Sequence, residues 1–124
     1  AYCFAEKKGY SKFGSYTGNG NADGTFVYTG FKPAWVIVKR TDTTNNWLMY
    51  DNKRNTFNPE KSFLLANTSD AEADTATSQA DFLSNGFKLR GTGNINNGSG
   101  GTYIYMAFAE NPFVSSTGTP VTAR

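Results

Sequence analysis

Asp51, Arg54 and Glu72 have side chains suited to chemistry: Asp51 closes a strand-like run, Arg54 follows it, and Glu72 sits in a long acidic stretch. Two carboxylates about 5–10 Å apart are what glycoside hydrolysis requires, and Glu110 is a third candidate for that work. The same residues suit a plainer role. Arginine presents a planar fork that grips carboxylates, so Arg54 with Asp51 or Glu72 would pin the long loop to the body of the domain. This structural ion pair is the favoured reading, and no catalytic residue is expected. The chain has no His, which removes His-based general-base and nucleophile-activating schemes. Cys3 lies in an apolar run and reads as a small buried residue, not a nucleophile.

Binding chemistry has its own candidates. Trp35, Trp47, Tyr50, Tyr103 and Tyr105 carry faces on which sugar rings stack, although such side chains in small β domains mostly fill the core. The ligand-binding set expected from sequence is Trp47 and Tyr50 with Asn94 and Asn96 from an Asn-rich loop. Asp70, Glu72 and Asp74 alternate as oxygen ligands for calcium would. They lack the Gly and distal Glu of an EF-hand loop, so a solvated acidic loop is the expectation, with no metal and no cofactor. The Gly-rich stretches 18–24 and 91–101 open no helix after a strand and carry no Lys-Ser/Thr pair, so neither is a P-loop.

The elements that must position these residues are strands. The chain is one domain's worth of sequence at 124 residues, long enough for a core without disulfides. Aromatic residues make up 15%, so large side chains carry much of that core. Abundant Gly and Asn supply turns, and Thr suits pleated surfaces. Strand-like segments recur at 12–16, 25–29, 34–40, 47–51, 62–66, 82–83, 87–90 and 102–110, separated by turn signals. Ala34–Arg40 is continuously apolar over Ala34–Val38 and predicts a central strand covered on both faces. Trp47–Asp51 reads as its hairpin partner. Asn85-Gly86 predicts a two-residue hairpin turn, and the polar stretch 67–80 reads as the least ordered. The expected fold is all-β: a single antiparallel β-sandwich, jelly-roll or lectin-like, of about eight strands with long Gly/Asn-rich loops. Val36, Ile37, Val38, Leu48, Phe87, Leu89, Ile104, Met106 and Phe108 are its expected core.

Charge narrows the partners. A net charge of +2 without a basic block argues against nucleic acid. No apolar run approaches the roughly 20 residues that span a bilayer, so no membrane insertion is expected.

Two further features concern assembly. Phe4-Ala5-Glu6 repeats as Phe108-Ala109-Glu110 near the other end of the chain, the signature of a modular parent architecture. Residues 1–6 are therefore expected to be a strand resembling the end of a preceding repeat. Residues 7–113 would form the sandwich and 114–124 a tail or linker. The stretches Gly30–Arg40, Phe82–Leu89 and Tyr103–Glu110, with Trp47, Asp51, Arg54 and Ala71-Glu72 between them, resemble a domain of unknown function. That domain is common in virion proteins of tailed phages, especially marine ones, often in tandem within long fibre or appendage proteins. The resemblance covers about Gly9 to Phe113. It implies a non-enzymatic virion module, in a tail fibre, capsid decoration or other appendage, whose partners are other virion proteins, further copies of itself and host-surface glycans. It implies localisation to the virion, assembled in the host cytoplasm, and transfers no catalytic residues. The alternatives are a glycan-binding, lectin-like receptor module and, more remotely, a surface-polysaccharide hydrolase.

Overall fold

A computed structural model describes residues 1–114 and 120–121 of the chain. The described residues are all-β, without helix. The strands are β1 (Ser11–Thr17), β2 (Phe26–Tyr28), β3 (Pro33–Arg40), β4 (Trp47–Asp51), β5 (Ser62–Leu65), β6 (Ala73–Asp74), β7 (Ala80–Leu83), β8 (Gly86–Leu89), β9 (Thr102–Ala109), β10 (Phe113–Val114) and β11 (Pro120–Val121). A six-stranded antiparallel sheet in the order β1-β9-β3-β4-β5-β6 faces a three-stranded one in the order β2-β8-β7. The β-sandwich expected from the sequence is the fold observed. Most of the 114–124 tail lies outside the described residues; within them, Phe113 pairs with Val121 and Val114 with Pro120.

The core follows from the two-residue period of a strand, which sends alternate side chains to opposite faces. Val36 and Val38 of β3, Leu48 and Tyr50 of β4, and Tyr103, Tyr105 and Ala107 of β9 point inward and are buried. They meet Val27, Phe82, Phe87 and Leu89 of the smaller sheet. Phe87 makes edge contacts with Tyr16 at 6.2 Å and Tyr105 at 5.4 Å, and Tyr16 stacks on Tyr103 at 5.0 Å. Such aromatic contacts are each worth about 0.5–1.5 kcal/mol beyond burial. Those of Phe87 join the layers, and the Tyr16–Tyr103 stack ties β1 to β9 within the large sheet.

Several expectations are corrected. Ile104 is 41% exposed, and Ile37, Met106 and Phe108 are only half-buried. The alternation along β9 gives its inward positions to Tyr103 and Tyr105, of which Tyr103 finds a hydroxyl partner inside, and turns the aliphatic residues out. β3 is central as predicted, yet only one of its faces is sealed, with Trp35 and Ile37 half-covered on the other. The β7–β8 loop is Ser84-Asn85, with Leu83 paired to Gly86. Gly86 therefore opens β8 instead of forming the turn, and a Cβ there would collide with the Val27 carbonyl oxygen of β2. The polar stretch 67–80 contributes strand β6, paired with Ser62 and Phe63.

Residues 1–6 form no strand. The chain turns at Lys7, whose amide bonds Ser11, and folds back across β1. The Ser11 hydroxyl donates to Ala5 O at 2.9 Å, Lys12 pairs with Glu6 at 2.7 Å, and the Phe4 ring meets Phe108 edge-on at 5.9 Å. Cys3 is exposed on this segment, not buried.

Candidate functional site

The structure divides the expected ligand-binding set. Trp47 stands on the outward face of β4 and is 37% exposed, whereas Tyr50 points the other way into the core. Burial drives the Tyr50 hydroxyl's pKa far up. That hydroxyl donates to Ser78 O at 2.6 Å and accepts from Asn96 Nδ2 at 2.8 Å. Asn94 is exposed, but Asn96 has no accessible surface. Two of the four side chains are thus unable to meet a ligand. The 91–101 loop does structural work: Tyr16 donates to Asn96 O at 2.7 Å, Tyr103 donates to Asn94 O at 2.7 Å, and Asn97 Nδ2 reaches Gly91 O at 2.8 Å. The loop's main-chain carbonyls accept from Tyr16 and Tyr103, while its Asn side chains satisfy the Tyr50 hydroxyl and the loop's own backbone inside the protein. Trp35 and Tyr105, the other aromatic candidates, lie on opposite faces of the large sheet, with Trp35 5.7 Å from Phe108.

Arg54 brings Asp51 and Glu72 together. Its Nε lies 2.7 Å from Asp51 Oδ2, and its Nη1 donates to Glu72. Both carboxylates are drawn onto one guanidinium, which fixes the acidic stretch against the end of β4. Asp74, meanwhile, pairs with Lys61 at 3.0 Å. Among the described residues, no group of three or more His, Cys, Asp or Glu side chains is placed to hold a metal ion.

The concave feature with the most convergent chemistry lies under the loop between β4 and β5, at residues outside the expected set apart from Glu110. A cavity of about 340 Å³ there is lined by Lys32, Asn52, Phe57, Asn58, Glu60 and Glu110, among others. The loop is held by its own short polar side chains. Asp51 Oδ1 accepts from the Lys53 and Arg54 amides at 2.9 and 3.0 Å. Asn55 Oδ1 accepts from Lys61 and Ser62 at 2.9 and 2.7 Å. Asn58, which precedes a cis peptide bond to Pro59, docks the loop on β7: it donates to Phe82 O and accepts from Phe82 N, both at 2.9 Å. Asp and Asn favour such local bonds because their side chains mimic a backbone turn.

Glu60 is the unusual member. Its backbone pairs with Ala80, and its side chain is carried inside, with the residue only 3% exposed. Oε2 has no hydrogen-bond partner. Burial pushes its carboxyl pKa up to about 7; nearby Asp51 and Asp81 add to the rise and Lys32 opposes it. Across the cavity Glu110 is held by Asn52 Nδ2 at 2.9 Å and Lys32 Nζ at 3.4 Å. Phe57 stands at the rim, 84% exposed.

Fold and site together define a small β-sandwich whose β4–β5 loop builds a polar cavity edged by one aromatic ring. The chain belongs to the family described as Domain of unknown function (DUF7483), whose model matches residues 1–112. No curated protein and no solved structure matches it.

Proposed function

We propose that this domain is a non-enzymatic structural module of a phage virion, part of a fibre, decoration or other appendage that contacts the host surface, and that copies associate through the outward face of the six-stranded sheet. The observation that supports this reading is a row of apolar side chains across five strands. Phe13, Met106, Ile37, Met49 and Leu64 are successive cross-strand partners from β1 to β5. Trp47 and Ile104 extend the row into solvent. A sheet needs only one face for its own core, and large apolar patches on the other face mark interaction surfaces.

The occupant is the N-terminal segment of another copy. Phe4 already rests on Phe108 within this chain, and Tyr2 beside it is 96% exposed. Tyr2–Glu6 has the repeated Phe-Ala-Glu signature and carries two exposed rings, Tyr2 and Phe4, so it suits covering the apolar row of a neighbouring copy as Phe4 covers Phe108 in its own. Light scattering tests the association: the intact chain should be a concentration-dependent homo-oligomer, and deletion of residues 1–6 or Ile104→Lys should return it to monomer. A monomer at all concentrations refutes association. Labelled antibody on intact particles tests the virion location.

A further inference from the structure

We propose that the cavity beneath the β4–β5 loop binds a neutral, hexose-sized saccharide unit, with Phe57 as its stacking face and Glu60, Glu110 and Lys32 as its hydroxyl partners. This inference does not rest on where the domain resides, nor on the association of copies.

Four observations carry it. The first is the orphaned Oε2 of Glu60, in a residue almost wholly removed from solvent and lining the cavity. A buried acceptor without a donor costs about 1–3 kcal/mol. Because Oε2 has almost no accessible surface, a hydroxyl group in the cavity supplies that donor once the Glu60 side chain turns toward it. The second is the balance of charge. Glu60 and Glu110 share this space with Lys32 and Lys53, and Glu110 is already paired with Lys32, so an anion or a cation would each meet its own sign. A sugar hydroxyl both donates and accepts, and is served equally by carboxylate and ammonium.

The third is Phe57. An aromatic ring left 84% in water at the edge of a polar cavity gains by covering its face, and the C–H face of a pyranose is a surface of the right chemistry and width. The fourth is size and rigidity. About 340 Å³ lies at the low end for ligand sites, fit for one or two sugar rings. The Asp51, Asn55 and Asn58 clamps fix the loop before any ligand arrives, so little ordering entropy is lost on binding. The ligand site thus falls away from Trp47 and the Asn-rich 91–101 loop.

The test is a ¹H–¹⁵N chemical-shift titration of the full chain with the methyl glycosides of glucose, galactose, mannose and N-acetylglucosamine. At least one should give saturable shifts, concentrated at the amides of residues 52–61 and Glu110. Phe57→Ala, at an exposed position where folding is undisturbed, should weaken that binding by about tenfold or more. Trp47→Ala should leave it unchanged. The proposal is overturned if none of the four saturates, if Phe57→Ala binds as tightly as the parent, or if the shifts map to the Trp47 face. Binding confined to cationic glucosamine or to sialic acid, run in parallel, would likewise overturn it.

Discussion

Glu60→Gln isolates the energetic consequence of a carboxylate held without a partner. In the fold its pKa is raised from 4.5 to about 7, chiefly by burial. A raised acid pKa means that the native state holds the proton more tightly than the unfolded chain, so the native state loses stability as pH rises through that interval. Below about pH 4.5 the group is neutral in both states and contributes no penalty; above about pH 7 the penalty is complete. At about 1.4 kcal/mol per pH unit the span sets a ceiling of about 3 kcal/mol. Relaxation of the surrounding groups around the buried charge lowers the expected value to about 1–2 kcal/mol. Glutamine keeps the shape and cannot ionise. Urea unfolding followed by tryptophan fluorescence should therefore find Glu60→Gln more stable than the parent by about 1–2 kcal/mol at about pH 8, and equal to it within about 0.5 kcal/mol at about pH 4. A variant that is destabilised equally at both pH values would refute the reasoning, since Glu60 would then be contributing a hydrogen bond and not a buried charge.

Two other substitutions test how the fold is packed. Gly86→Ala forces a methyl group onto the Val27 carbonyl, whereas Gly100 has φ +71° and open space around its Cβ position. Thermal unfolding should show Gly86→Ala costing about 2–3 kcal/mol or more through backbone displacement, and Gly100→Ala only about 1–2 kcal/mol through the left-handed conformation. Tyr50→Phe leaves Ser78 O without its donor and Asn96 Nδ2 without its acceptor. A loss of about 2–4 kcal/mol in urea unfolding is expected, and a loss below about 1 kcal/mol would mean that the two groups find other partners.

Much of the sandwich was legible because it rests on short-range signals. The apolar run at 34–38, the polar turn at 41–46 and the second apolar run at 47–50 make a hairpin whatever the rest of the chain does, and Val36 does pair with Tyr50. What escaped was the choice of face. Along β9 the sequence Tyr-Ile-Tyr-Met alternates two apolar sets, and hydrophobicity alone favours burying Ile104 and Met106. Tyr103 goes in because Asn94 O waits there as its acceptor, as Asn96 O and Ser78 O do for Tyr16 of β1 and Tyr50 of β4, and the two-residue period carries Tyr105 in with it. An acceptor supplied by a loop distant in sequence has no trace in the local pattern of the strand it receives. The same pairing explains why Tyr50 and Asn96 both looked like ligand contacts: a buried polar network and an exposed binding site draw on the same residue types.

Glu60 was hidden for a related reason. It follows Asn58-Pro59 in a stretch whose composition reads as exposed loop, and acidic residues are almost never fully buried without a partner. Its burial is decided by long-range pairing with Ala80 and by the Asn58 clamp on Phe82. The loop's own signals, Asp51, Asn55 and Asn58 at its turns, do indicate a shaped segment held by side-chain bonds. A loop so thoroughly clamped gives up conformational freedom that an ordinary connection between two strands would keep. The clamps hold an unpaired carboxylate inside and a phenyl ring outside, both unfavourable for the protein alone. Both become favourable when one amphipathic ring with hydroxyl groups lies between them, and that reciprocity is the physical ground for seeking the ligand at this loop.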